Sequence, residues 1–484
     1  MMETKVEVSA FFRRIAGYSM TSWINFIIGI VSVVLMTRFF APDVIGSYTL
    51  FNTATDLLMI FCCMGFDNAL IRFFYSPPHN ESHQALFKRC VGASLLCYFI
   101  VALVILTGFS HTLSVLLFKK DDILLIVFLL LNGLSLLLTS RYLLLLFRMK
   151  NQIASYTILQ LLMNFFSKIF VLASVLVSST IETVLLFNTV GMVLLTLLYL
   201  IYQRDAFSVR VDLFAREKYD AIFRYAVSSW PMGVLQRLNI FLVPFLIGQY
   251  LDNYKLGIYS STLFFCTAFT VLFNGFTTYW SPFMYKNYAK KQIFIIKVHD
   301  YMSFLLIVLE VLLLISQKFT FLFIGEMYRY GTSIFLLVLL EPIYLLLAET
   351  TCYGISIRKK NKEASLIFLL SVLMNGVFLW IGMQCFDLIG AAYAVAATAF
   401  IKFCLMTWRG QTYYKSIGSK GRTILSAVIM LALAIMNSLL FSQMMLNTIL
   451  AVVMLLFAMC LYKGVLLEAV AGGKRILSRK VNKR

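Results

Sequence analysis

Apolar runs of about 20 residues recur along this chain of 484 residues and are separated only by short polar breaks. A helix of about that length crosses the hydrocarbon core of a bilayer. Membrane-spanning strands alternate polar and apolar residues over about 10 residues, and these runs do not alternate. We therefore predict an all-α integral membrane protein. The mean hydropathy of +0.86 agrees, because soluble domains are much less apolar.

The runs predict about 14 transmembrane helices. The first follows the basic stretch FFRRIAG and lacks a small-residue cleavage site, so we interpret it as a retained helix. The predicted helices are 17–37, 47–66, 90–110, 123–140, 157–177, 183–202, 225–248, 258–280, 302–320, 332–355, 364–386, 390–408, 422–441 and 448–467.

Lysine and arginine are concentrated in alternate breaks between the predicted helices. Cytoplasmic loops carry such an excess, so the pattern predicts that both termini are cytoplasmic (N-in, C-in). It also explains the formal net charge of +20 as membrane topology, and we expect no nucleic-acid partner. The basic tail Lys474–Arg484 is predicted to lie against anionic membrane lipids.

No cofactor or metal site is predicted. The nine cysteines lie mostly inside apolar runs and lack metal-ligand spacing. His79 and His83 are four residues apart, but a third ligand is missing and prolines precede them, which favours a solvated loop. The chain also lacks a glycine-rich phosphate loop and a nucleophile elbow, so we expect no catalytic residues and no enzyme.

An internal similarity appears at an offset of 211 residues. FFRR at residues 11–14 falls on IFRY at 222–225, and GSY at 46–48 falls on GIY at 257–259. Six predicted helices separate the copies, so the two halves run parallel about an axis along the membrane normal. The pattern predicts two six-helix lobes around a central cavity, residues 1–222 and 223–409. Residues 410–484 form a C-terminal helix pair and the basic tail.

The order and spacing of six stretches are similar to those of a known family. The stretches are TRFFAPDVIGSYTLF (37–51), GFDNALIRFFY (65–75), FRYAVSSWPMGVLQRLNIFLVPFLIG (223–248), WSPFMYKN (280–287), YGISIRKKNKEAS (353–365) and LMNGVFLWIGMQCFDLIGAAYAVAAT (373–398). Together they resemble the Wzx-type O-unit flippases, the polysaccharide export branch of the multidrug/oligosaccharidyl-lipid/polysaccharide (MOP) superfamily.

The resemblance implies two lobes enclosing a cavity that opens alternately to each side of the bacterial cytoplasmic (inner) membrane. The implied cargo is an undecaprenyl-pyrophosphate-linked oligosaccharide, such as an O-antigen repeat unit of lipopolysaccharide biosynthesis. A polysaccharide polymerase and a chain-length regulator are the implied protein partners. The family often has an acidic residue near Asn239, whereas the prominent charge here is Arg237.

Arg237 lies near the middle of its predicted helix, where an arginine costs roughly 2.5 to 3.5 kcal/mol on insertion scales. It must therefore face protein or water. Either it pairs with a buried acid such as Asp56, or it lines the cavity and attracts an anion. Pro231 and Pro244 flank it and predict a kinked helix. The candidate substrate-binding residues are Arg237, Lys168, Arg38, Arg72, Asn239 and Gln236.

Gln160, Asn164 and Lys168 recur every four residues and share one helix face, which indicates either a wet seam or hydrogen bonds between helices. Asp56, Glu310 and Glu341 lie near the middles of predicted helices. Such acids are candidates for coupling transport to a proton or sodium gradient. Alternatively, they are neutral or pair with the buried cations.

Two other function classes compete with a flippase. A cation or drug antiporter of the same superfamily would need an acidic cavity, which the mid-membrane cations argue against. A membrane polymerase or ligase usually has a large outer loop, but the outer breaks here span only about 5 to 17 residues, an ordinary length for connections. A purely structural scaffold would leave the buried charges unexplained.

Overall fold

The structure is a computed structural model that describes residue 24 and residues 26–75, 77, 82–150, 152–204 and 216–464. Within these ranges all regular structure is helical and no strand occurs, which confirms the all-α part of the predicted fold class. His79 and the basic tail lie outside the described residues. The first predicted helix is described only from its middle onwards. The N-in, C-in orientation stays a prediction.

Fifteen helices, numbered in chain order, form the described chain. They are α1 Phe26–Phe39, α2 Pro42–Cys63, α3 Phe66–Phe73, α4 His83–Phe118, α5 Ile123–Met149, α6 Ile153–Ala173, α7 Ile181–Tyr202, α8 Arg216–Tyr250, α9 Asn253–Asn287, α10 Gln292–Leu322, α11 Phe335–Thr351, α12 Tyr353–Ile357, α13 Asn361–Tyr413, α14 Lys420–Leu440 and α15 Met444–Leu461. Single π-helical segments lie within α4, at Ile105–Phe109, and within α5, at Leu137–Leu143.

Eleven helices of the described residues are long and apolar enough to cross a membrane. The number is 12 if the 3-10 helix Glu326–Ser333 and α11, which meet at a bend of 59°, form one span. The chain is therefore a multi-pass membrane protein. The total of 14 transmembrane helices stays a prediction.

Helix α13 doubles back on itself. Phe386 and Asp387 have non-helical backbone angles, with φ of −137° and 56°. The hydroxyl of Tyr413 donates a hydrogen bond of 2.7 Å to the carboxylate of Glu363, although a straight helix would hold these residues about 75 Å apart. α13 is thus an antiparallel pair of helices. Its reversal falls in the break predicted between 364–386 and 390–408.

The described chain forms two compact units, Ile27–Ser260 and the residues from Ser261 onwards together with Phe26. The boundary lies within α9. The predicted lobe boundary after residue 222 rests on a sequence repeat, which is a different criterion from compactness. The lobes and the cavity between them therefore stay predictions.

Two glycines of the first unit make a reciprocal contact between α2 and α9. A Cβ atom at Gly46 would overlap the carbonyl oxygen of Asn253, and one at Gly257 would overlap that of Pro42. Asn253 lies 211 residues after Pro42, and Gly257 lies 211 residues after Gly46. This is the offset of the predicted repeat. Two copies related by a two-fold axis make contacts of this kind.

A buried amide network fastens the last two helices within the second unit. The side chains of Gln317 on α10 and Asn447 on α15 both donate to the amide oxygen of Asn437 on α14, at 2.6 and 2.9 Å. Asn437 in turn donates to the backbone carbonyl of Thr332 at 3.0 Å. Because lipid gives little apolar drive for helix association, such hydrogen bonds help to fix helices to one another.

Helix α2 ends in a sharp break that packs against α8. Met64 and Gly65 both adopt left-handed backbone angles, with φ of 46° and 77°. A Cβ atom at Gly65 would overlap the carbonyl oxygen of Ala226 and lie 2.8 Å from the hydroxyl of Ser229. Only glycine satisfies both the left-handed conformation and the close approach of α8.

Replacement of Gly65 by alanine is therefore expected to destabilise the protein by about 2 kcal/mol or more, because the left-handed conformation and the overlap both become costly. The measurement is thermal unfolding of the purified protein in detergent. Gly421→Ala is the matched control, since nothing lies within 4 Å of a Cβ atom there. Equal unfolding temperatures for the two variants would contradict this account of the break.

Candidate functional site

An ion pair joins α2 and α8 in the interior of the first unit. The Nη1 atom of Arg237 donates to Oδ2 of Asp56 at 3.2 Å. Next to this pair, the indole of Trp230 donates to the carbonyl oxygen of Phe61 at 3.1 Å, and the two rings lie 5.2 Å apart. The break after α2, the indole and the ion pair therefore align the two helices along their length.

The Arg237–Asp56 pair is not fully covered by protein. The side chain of Arg237 is 33% exposed and that of Asp56 is 36% exposed. A guanidinium has five N–H donors, and the bond to Asp56 uses one of them. The side chain can therefore hold the helices together and still offer donors to an anion. Both alternatives raised by the sequence, pairing with Asp56 and an anion-attracting surface, are compatible with this geometry.

A second ion pair lies between α3 and α5. Nη1 of Arg141 is 3.6 Å from Oδ2 of Asp67, and the side chains are 24% and 8% exposed. Among the described residues, Nε of Arg141 and Oδ1 of Asp67 have no hydrogen-bond partner. A buried polar atom without a partner is costly, so this pair is incompletely satisfied.

Arg141 lies inside a helix whose end the sequence analysis places too early. The predicted helix 123–140 ends one residue before it. The structure continues α5 to Met149 and places Arg141 in the π-helical segment Leu137–Leu143. The sequence signal for a helix that continues past the arginine is the apolar run Tyr142–Phe147.

The two ion pairs are electrostatically connected through Asp56. Asp56 pairs with Arg237, and the π-helical segment that carries Arg141 packs against α2 as well, so the charge of Arg141 also acts on Asp56. Two arginines and two aspartates from α2, α3, α5 and α8 therefore form one alternating group of charges in the first unit. We call these four residues, Arg237, Asp56, Arg141 and Asp67, the charge cluster.

Lys168 is half-buried on α6, on the face shared with Gln160 and Asn164. The amide of Asn164 donates to the backbone carbonyl of Gln160 at 3.3 Å, so part of this polar row bonds along its own helix. The opposite face of α6 borders an apolar groove shared with α7. The groove is lined by Ser155, Ile158, Leu162, Phe166, Leu195, Leu198, Tyr199 and Tyr202.

The remaining predicted binding residues lie on three helices of the same unit. Gln236 is exposed and Asn239 is half-buried on α8, next to Arg237 in sequence. Arg38 is exposed near the end of α1. Arg72 is exposed on α3, with its guanidinium carbon 5.6 Å from the ring centre of Phe73. Their roles stay predictions.

Of the predicted coupling acids, Asp56 belongs to the charge cluster, whereas Glu310 and Glu341 belong to the second unit. Glu310 on α10 is fully buried, and among the described residues neither carboxylate oxygen has a hydrogen-bond partner. Glu341 on α11 is exposed. Burying an unpaired carboxylate is costly, so Glu310 is the acid with the most unusual surroundings. Coupling by these acids stays a prediction.

The two prolines of α8 do not end the helix. Pro231 and Pro244 lie inside one continuous helix from Arg216 to Tyr250. Each proline removes one backbone donor, and the kink that the sequence predicts stays a prediction. The backbone breaks instead at Met64 and Gly65 after α2, where the chain lies against Ala226 and Ser229 of α8.

The fold is similar to those of several solved membrane proteins. The lipid II flippase MurJ, in an inward closed conformation, matches with a TM-score of 0.69 and 14% identity, covering 93% of this chain and 99% of that chain. An inward-facing multidrug resistance MATE family transporter of the MOP superfamily matches with a TM-score of 0.55 and 12% identity, covering 80% and 94%. At these identities the likeness concerns the fold alone.

A search of curated proteins finds no match. The sequence profile of the family described as "Polysaccharide biosynthesis protein" matches residues 12–288, which is more than half of the chain and contains all four residues of the charge cluster. This chain therefore belongs to the polysaccharide biosynthesis protein family.

Proposed function

We propose that this protein flips an undecaprenyl-pyrophosphate-linked oligosaccharide, such as an O-antigen repeat unit, across the bacterial cytoplasmic membrane by alternating access. The observation that carries the proposal is the geometry of Arg237. It lies deep in a long apolar helix, is held by Asp56 at 3.2 Å, and is still one third exposed. A cation that served only to join two helices would not need that exposure.

The cargo explains why such a cation is useful. A pyrophosphate bearing sugars cannot cross hydrocarbon unaided, because burying an unpaired charge costs many kcal/mol. A cationic, wet surface inside the helix bundle can hold the phosphates while the polyprenyl chain remains in the lipid. Arginine suits this role since its planar fork of donors matches phosphate oxygens.

The family assignment and the fold support this proposal. A polysaccharide biosynthesis family requires its products or precursors to cross a membrane when the polymer is assembled outside. The fold is shared with a protein that carries the name lipid II flippase, which supports a lipid cargo. The proposed protein partners, a polysaccharide polymerase and a chain-length regulator, would act on the repeat unit after it has crossed.

A second candidate function is export of a cationic drug or small molecule in exchange for an ion. The observation that favours it is Asp56, which is 36% exposed and offers carboxylate oxygens to a cation. The two candidates differ in which member of the ion pair contacts the substrate. Arg237 is essential for an anionic lipid head, and Asp56 is essential for a cationic drug.

The proposal is tested in a strain from which the gene is deleted. If the protein is a flippase, lipid-linked oligosaccharide accumulates on the cytoplasmic face and surface polysaccharide is lost, and the wild-type gene restores both. Unchanged surface polysaccharide together with increased sensitivity to cationic dyes would contradict the flippase and favour the drug exporter.

Replacing Arg237 with alanine is expected to lower flipping at least about tenfold, because hydrogen bonds to a charged phosphate are among the strongest that a side chain makes. The measurement is the rate at which lipid-linked oligosaccharide becomes accessible on the far side of reconstituted vesicles. Arg237→Lys keeps the charge but loses the fork, and it is expected to be intermediate.

The paired control for this prediction is the double variant Arg237→Ala/Asp56→Asn. The single variant leaves the Asp56 carboxylate without its partner, which could impair folding by itself. Removing both charges relieves that penalty. If the double variant flips at the wild-type rate, Arg237 is only a link between α2 and α8 and does not bind the cargo.

Ion coupling is tested at Glu310. Glu310→Gln keeps the size of a fully buried side chain but cannot exchange a proton, so we expect flipping to continue while its acceleration by a proton gradient is lost. Glu326→Gln is the surface control, because the Glu326 side chain is 84% exposed. Equal gradient dependence in both variants would exclude Glu310 from coupling, and Asp56→Asn would then be examined in the same assay.

A further inference from the structure

We propose that Arg141 is the second cation of the head-group site and gives the site its preference for a diphosphate over a monophosphate. The inference rests on the proposed function and deepens it, because it assigns one arginine to each phosphate. The structure supplies the argument through the position of Arg141, its incomplete pairing with Asp67, and its electrostatic connection to Asp56.

The position of Arg141 follows from the helix bounds. Asp56 and Arg237 lie about 20 Å along α2 and α8 from the ends that the predicted orientation puts outside. Arg141 lies about 27 Å along α5 from the corresponding end. The difference in depth is therefore about 7 Å, with Arg141 on the side that the predicted orientation makes cytoplasmic. The π-helical segment that carries Arg141 packs against α2, the helix that carries Asp56, and this brings the two ion pairs together.

The contact that holds Arg141 is one that a better acceptor can replace. Its nearest distance to the Asp67 carboxylate is 3.6 Å, which is longer than an ordinary hydrogen bond, and its Nε lacks a partner among the described residues. A phosphate offers several acceptor oxygens and can take two N–H donors of the guanidinium at once. Binding of a phosphate therefore relieves a polar atom that the empty site leaves unsatisfied.

The local backbone explains why an arginine can be presented at this point of α5. Residues Leu137–Leu143 form a π-helical segment, in which the extra residue per turn shifts the following side chains around the helix. Such segments occur often at functional sites. Arg141 lies in this segment, between the buried residues Thr139 and Tyr142.

The charges of the cluster fit a diphosphate. In the empty site two arginines are matched by two aspartates, so the four side chains together carry no net charge. A sugar-linked lipid diphosphate carries one ionised oxygen on each phosphorus, and an unsubstituted lipid diphosphate has a second ionisable oxygen on its terminal phosphorus. Two guanidiniums can each take one phosphate of either lipid while the carboxylates move aside. With Arg141 removed, a single arginine remains, and it satisfies a monophosphate as well as it satisfies a diphosphate.

The test compares binding of two lipids to the full-length protein in phosphatidylcholine nanodiscs. The probes are radiolabelled undecaprenyl diphosphate and undecaprenyl monophosphate. The decisive variant is Arg141→Gln/Asp67→Asn, because it removes both charges and avoids leaving either one buried and unpaired. Asp67→Asn alone is the matched variant, and gel filtration with thermal unfolding checks that each protein is folded.

The double variant is expected to bind the diphosphate about 10- to 100-fold more weakly than the wild type and the monophosphate within about threefold of it. Asp67→Asn alone should bind the diphosphate at least as tightly as the wild type, because it frees Arg141. Unchanged diphosphate binding in the double variant, or an equal loss for both lipids, would overturn the role of Arg141 and leave the proposed function standing. A wild type that binds neither lipid would overturn both.

Discussion

The free energy of placing charge in an apolar bundle governs the arrangement of the first unit. An arginine or aspartate inside a membrane helix must find an opposite charge, a hydrogen-bond partner or water. Arg237 and Arg141 find Asp56 and Asp67, and these contacts bring α2, α3, α5 and α8 together. Neither ion pair uses all of its hydrogen-bonding groups. The Arg237–Asp56 pair is partly exposed, and the Arg141–Asp67 pair leaves polar atoms without partners among the described residues. The pairs therefore keep N–H donors that a ligand can use.

The backbone around the charge cluster is fixed by contacts that tolerate few substitutions. The left-handed break at Gly65 allows α8 to approach α2 within backbone contact at Ala226, and the Trp230 indole donates a hydrogen bond to the carbonyl of Phe61, which also accepts from the Met64 N–H. These contacts lie within three turns of Arg237 on the same helix. A rigid α2–α8 pair holds the guanidinium at a defined place, as a binding site requires.

The sequence predicted part of this architecture for physical reasons that can be stated residue by residue. Hydropathy located the membrane helices because burial in lipid depends on composition, and the cost of a mid-membrane charge identified Arg237 and named Asp56 as its partner. The same reasoning did not identify Arg141, because a single arginine followed by apolar residues resembles the end of a membrane span as much as its interior. The π-helical segment Leu137–Leu143 and the break at Gly65 depend on neighbours that are distant in sequence. Periodicity also could not distinguish buried Glu310 from exposed Glu341.

The charge of the cluster has a consequence for the energetics of the proposed transport. The four side chains sum to zero, so the empty site can change its access from one face to the other with little charge moving across the membrane. With a diphosphate bound, the same site carries a net negative charge. Moving one elementary charge through 100 mV is worth about 2.3 kcal/mol, and a potential that is negative inside favours outward movement of an anion. The membrane potential therefore favours the loaded outward step and acts only weakly on the empty return step. A coupled ion, bound at Asp56 or Glu310, would then have its main effect on the return of the empty transporter.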